Sequence, residues 1–106
     1  MSVVAKLQAL GNETRFEIVR LVREREMAAS AIAERFAMTR PAVSQHLGVL
    51  REAGLVVERR EGAQRLYRVR SEGFAEIAAF VEEFWQPRLE RLKLAAEAAE
   101  RAGKPK

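Results

Sequence analysis

The amino-acid sequence predicts a mainly α-helical fold with one small β-hairpin, in which short helices lead into the hairpin and a long helix closes the chain. Three observations predict it. Apolar residues recur at helical spacing in short segments set off by capping residues and by Gly11 and Gly54. Residues 55–70 switch to two-residue alternation around a turn at Gly62. Residues 71–101 then carry a broad apolar band without a break signal other than Pro87. At 106 residues and 48% hydrophobic content, the chain suits one domain, 1–106, with a single modest core.

The elements follow in order. Val3, Val4, Leu7 and Leu10 space as a first helix within 1–10, stopped by Gly11. Core helices fill 12–54. Asn12 caps the second, whose apolar residues Phe16, Ile18, Val19, Leu21 and Val22 cover more than one face as it runs to about Glu26. Ser30 is a candidate cap for a third, short helix that buries Ile32, Ala33 and Phe36. Thr39 caps the fourth, Pro41 occupies its first turn, and Val43, Leu47 and Leu50 make its buried stripe before Gly54 ends it. Two short helices joined by a tight turn at about 30–53 have helix-turn-helix spacing.

In the hairpin at 55–70, Leu55 and Val57 alternate with Val56 and Glu58, and Tyr67 and Val69 with Leu66 and Arg68. A hairpin with Arg59, Arg60 and Arg65 at and beside its tip, placed after a helix-turn-helix, is a wing. Ser71 is read as the cap of a final helix over 71–101, with 102–106 as a tail. Phe74, Ile77, Ala78, Val81, Phe84 and Trp85 form its first apolar band. Trp85, Leu89, Leu92, Ala96 and Ala99 then repeat at coiled-coil spacing, and Pro87 between the two patterns should kink or split the helix. So amphipathic a helix exceeds what a small core can cover, and it requires a partner.

Composition narrows the function. No cysteine is present, which excludes disulfides, thiolate metal sites and thiol nucleophiles. No apolar run reaches 18 residues and no secretory signal opens the chain, so no membrane partner and a cytoplasmic location are expected. Residues 1–70 hold thirteen Lys and Arg against eight Glu, while 71–106 hold six against seven. A basic front and a near-neutral rear suit a polyanion at the front. There is no Ser/His/Asp set and no Gly-rich phosphate loop, so no catalytic residue and no enzyme activity are expected.

The fourth helix turns Arg40, Ser44, Gln45, Gly48 and Glu52 away from its buried stripe. In a major groove, Arg40 suits guanine, Gln45 suits adenine, and Ser44 suits a base or a phosphate. Ser30, Thr39 and Pro41 stand at helix starts, where hydroxyls and free N–H groups meet phosphate. Arg59, Arg60, Gln64 and Arg65 on the wing complete the candidate DNA-binding set, the arginines as phosphate contacts, while Arg68 and Arg70 suit plain solvation. His46, the only histidine, has three readings: a backbone contact to DNA, packing against the second helix, or a metal ligand. The reading from another class is a winged-helix protein-interaction module acting through the basic face and the terminal helix.

The stretches "LQALGNETRFEIVRLV", "IAERFAMTRPAVSQHLGVLREAGLV" and "RREGAQRLYRV" together resemble the ArsR-type winged helix-turn-helix regulators, the arsenical-resistance-repressor family. "FWQPRLERLK" is similar to a branch ending in a Trp-bearing helix. The resemblance covers most of 7–69 and implies a homodimeric bacterial repressor on double-stranded DNA, its first and last helices forming the dimer interface. Val3, Val4, Leu7, Ile77, Val81, Phe84, Trp85, Leu89, Leu92 and Ala96 are the residues this implies. Metal-sensing members bind their ion through cysteines near the recognition helix, or through His and acidic residues on the last helix. Here cysteine is missing, and 71–106 hold neither His nor Asp, only glutamates such as Glu72 and Glu97. A metal-independent branch with no cofactor is expected. The effector stays open, including a small ligand near Trp85.

Overall fold

The computed structural model describes residues 2–103, the side chains of 86–89 excepted; Leu89 of the expected interface therefore lies outside the described residues. Helix α1 spans Val3–Leu10, α2 Glu13–Glu24, α3 Ala29–Phe36 and α4 Arg40–Glu52. A short strand β1, Met27–Ala28, precedes α3, and the hairpin strands are β2, Val56–Glu61, and β3, Gln64–Val69. After a 3-10 turn at Ser71–Phe74, α5 runs over Ala75–Gly103.

Capping explains the helix starts. Asn12 Oδ1 accepts from the Arg15 amide at 3.0 Å, and Thr39 Oγ1 accepts from the Ala42 amide at 3.3 Å. Ser30 is not a cap. α3 starts two residues earlier than that cap implies, with Ala28 at its N-cap and no side-chain bond, and it buries Ala29 in its first turn. Ser71 likewise opens the 3-10 turn rather than α5. α5 is continuous past position 87, so Pro87 does not split it, and it extends to Gly103. The two turn glycines adopt the positive φ expected of them, Gly54 at 77° and Gly62 at 62°.

The sheet is antiparallel with order β1-β3-β2. Tyr67 faces Met27 on one side and Glu58 on the other. Ile18, Val22, Ile32, Val43, Leu47, Leu50, Leu55 and Val56 are fully buried, so the stripe of α4 sits at the centre of the core. Burying each of these aliphatic side chains stabilises the fold by roughly 1.5–3 kcal/mol. This packing fixes which face of α4 is left for function.

α1 and α5 pack together at the edge of the core. Lys6 is buried between them, its Nζ donating to the Gly73 carbonyl at 2.7 Å and lying 3.7 Å from Glu76. Beyond this anchor α5 projects, and the molecule measures 71 × 26 × 23 Å. Val4, Leu7, Val81, Phe84, Trp85, Leu92 and Leu94 are exposed, with Phe84 at 67% and Trp85 at 51%. Ile77 instead packs partly against the core, Val3 is half-buried and Ala96 is exposed.

Candidate nucleic-acid interface

With Val43, Leu47 and Leu50 turned inward, Arg40, Pro41, Ser44 and Gln45 of α4 stay exposed, Arg40 and Ser44 beside the buried stripe and Pro41 and Gln45 farther round the helix. A groove of about 350 Å³ separates this helix from the hairpin. Its walls include Ser30, Arg40, Ser44, Gln64 and Arg65, so five of the candidate residues meet in one place although they come from three elements. Arg40 and Arg65 make no ion pair among the described residues, nor does Arg60 at the hairpin tip. Their charge is available to an anion.

The start of α3 also faces the groove, through Ala28, Ala29 and Ser30. No side chain caps this helix, so its first N–H groups are open to a ligand acceptor, and the positive end of the helix lies beside the arginines. Thr39 is different. Its hydroxyl oxygen already accepts from α4, which leaves its proton for donation.

The groove floor is braced by a network that sequence reasoning missed. Tyr67 Oη donates to Glu58 Oε2 at 2.7 Å, and Arg51 Nη1 lies 3.2 Å from the same oxygen. The Tyr67 bond outweighs burial and, with Arg51, holds Glu58 below the usual carboxylate range. Burial, and then Glu58, push the Tyr67 hydroxyl up. The network ties α4 through Arg51 to β2 and β3, which sets the spacing of helix and wing. The Glu58–Tyr67 register pair was the one available signal, since cross-strand partners share a face.

Arg59 behaves otherwise than a free wing cation. Its Nη2 and Nε donate to Glu26 at 2.6 to 3.0 Å, and Nη2 lies 2.9 Å from Glu61. Both partners counter its charge, so Arg59 braces the hairpin against the segment that follows α2 rather than presenting a bare cation. His46 is half-buried on the flank of α4, its Nδ1 3.3 Å from Arg15 Nη1 of α2. Of its three readings, this is packing against the second helix. Among the described residues, no group of three His, Cys, Asp or Glu side chains is placed to hold a metal ion.

A family model described as a helix-turn-helix domain matches residues 10–59. The HTH-type transcriptional regulator Rv2034 of Mycobacterium tuberculosis is 38% identical over 78 residues, 74% of this chain and 73% of that protein. The arsenical resistance operon repressor of Escherichia coli is 32% identical over 85 residues, 79% of this chain and 73% of that protein. A solved structure of a possible transcriptional regulator for arsenical resistance superposes with a TM-score of 0.71 at 38% identity, covering 88% of this chain and 97% of that one. The homodimeric winged helix-turn-helix DNA-binding domain of a possible ArsR-family regulator from Mycobacterium bovis gives 0.65 at 35% identity, with 84% and 82% covered. These relatives are regulators rather than enzymes, and their shared scaffold is the one that positions α4 here. The chain belongs to the ArsR family of winged helix-turn-helix, DNA-binding transcriptional regulators.

Proposed function

We propose that the chain acts as a homodimeric repressor that binds an inverted-repeat operator. In this reading Arg40, Ser44 and Gln45 read base edges, while Ser30, Thr39, Arg60, Gln64 and Arg65 take phosphate. The observation that carries the reading is the groove between α4 and the hairpin, where Arg40 and Arg65, unpaired among the described residues, flank an uncapped helix start. Two further observations support dimerisation. The exposed apolar residues of α1 and α5 form a face that a monomer leaves wet, and the Mycobacterium bovis relative is homodimeric. A two-fold dimer presents two α4 helices, and DNA so occupied excludes other proteins from the promoter.

Regulation in this reading does not run through a metal. The chain has no cysteine, and its one histidine is engaged by Arg15. Selection from a random-sequence duplex library tests the reading, with and without chelator. An inverted repeat should be enriched in both, its half-site centres about one helical turn apart or a multiple of that. Arg40→Ala and Gln45→Ala should each cost about 1–3 kcal/mol and relax preference at one symmetric base pair. Wild-type binding by both variants would refute the assignment of α4, and enrichment that needs added metal would refute metal independence.

A further inference from the structure

Three helices meet at one arginine. Arg15 of α2 donates from Nε to the Ala9 carbonyl of α1 at 2.7 Å and contacts His46 of α4 through Nη1 at 3.3 Å. A guanidinium can only donate, so His46 Nδ1 accepts and the neutral ring carries its proton on Nε2. His46 stands between Gln45, which is exposed, and Leu47, which is buried in the core. At about 100° per residue the ring lies on the side of α4 away from Arg40 and Ser44, so it bears on how the helix sits against α2.

We propose that Arg15 and His46 form a positioning clamp that sets the pose of α4 against α1 and α2, and that protonation of His46 opens it and weakens specific DNA binding. A protonated ring has no lone pair for Arg15 and places a second cation 3.3 Å from the first. The hydrogen bond is lost and repulsion replaces it. Arg15 keeps its bond to Ala9, so the displaced partner is the ring, and with it the flank of α4.

The other charges on the elements packed against α4 are committed elsewhere or exposed. From α2, Glu13 is exposed and Glu17 pairs with Arg20 at 3.7 Å. From α1, Lys6 is committed to Gly73 and Glu76. From β2, Glu58 is committed to Tyr67 and Arg51. On α3, Glu34 and Arg35 are exposed. Burial first, and Arg15 second, hold the ring's titration below its ordinary 6.5. The chain has no second histidine and no cysteine, so no other side chain ordinarily titrates between about pH 5.5 and 7.5.

The inference rests on the DNA-reading function, and its sign separates it from direct contact. A His46 that touched phosphate would bind more tightly when protonated. The clamp predicts the reverse. The test measures the dissociation constant for a duplex selected by the protein at pH 7.5, and for its scrambled sequence, from pH 8 to pH 5. The His46 ring is followed by NMR over the same range.

Wild-type preference for the selected duplex should fall on acidification with the midpoint of the ring, by up to about tenfold per recognition helix between pH 7.5 and 5.5. His46→Gln, whose amide oxygen still accepts from Arg15 but does not titrate, should show a flat profile. Tightening at acid pH that His46→Gln lacks would overturn the clamp in favour of a phosphate contact. A flat wild-type profile, a ring that stays neutral to pH 5, or a loss shared by His46→Gln would also overturn it. Should His46→Gln not fold, the wild-type amide shifts of Ser44 and Gln45 decide. They must follow the ring, and resonances that ignore it refute the clamp. No preference for the selected duplex at pH 7.5 would defeat the DNA reading, and the inference with it, before any pH is changed.

Discussion

Gly73 carries a packing role that no local sequence pattern announces. A Cβ there would overlap the Gly54 carbonyl oxygen just past the end of α4, so only glycine lets the 3-10 turn close on that helix. Its own carbonyl accepts from buried Lys6, which joins α1 to the same point. Gly73→Ala should therefore destabilise the fold by about 1–3 kcal/mol, read as a lowered midpoint in thermal or denaturant unfolding. An unchanged midpoint would show that the contact gives way cheaply. Ala37 is a second exception, an alanine at φ 52° where α3 ends. The turn of the helix-turn-helix needs a left-handed residue there, and alanine bears some strain in supplying it. Neither position was legible, because both depend on backbone geometry set elsewhere. Asn12, Thr39, Gly54 and Gly62 were legible, since capping oxygens and positive-φ glycines act locally.

Among the elements, α4 and the hairpin were read closely, because their periodicities of 3.6 and 2 are each set by a buried face. β1 was not. Two residues have no periodicity, and Met27–Ala28 becomes a strand only because β3 lies alongside. The same limit applies to charge. Arg59, Arg60 and Arg65 are alike in sequence, yet among the described residues Glu26 and Glu61 engage only the first, through a pairing that joins β2 to the segment between α2 and β1. The wing therefore keeps fewer free cations than its composition suggests. Removing Arg60 and Arg65 together by alanine should weaken selected and scrambled duplex alike and flatten the salt slope by roughly two units. A loss confined to the selected duplex would make the wing a reader of sequence. Extending the double variant with Arg59→Ala should flatten the slope little further, since that charge is already countered.

On the scale of the whole molecule, the front of the protein is finished and the rear is not. The core around Leu47 and Leu50 is sealed, whereas Phe84, Trp85 and Leu92 stand in solvent along α5. Trp85 is expected near the centre of a two-fold contact, where aromatics dominate interface energy. Truncating it costs about 3–5 kcal/mol in a packed site, and the symmetry counts the loss twice. Trp85→Ala should therefore sediment as monomer at micromolar concentration while keeping its helical circular dichroism, and its DNA affinity should fall with no DNA-facing residue changed. A variant that stays dimeric would place the interface elsewhere. In the proposed reading, two copies of α4 engage one inverted repeat. Native mass spectrometry of the wild-type protein with the selected duplex, in competition with scrambled duplex of equal length, tests it most directly. Two chains per selected duplex are expected, with a preference over scrambled DNA of about 10³ or more. One chain per duplex, with no preference between the two sequences, would contradict it.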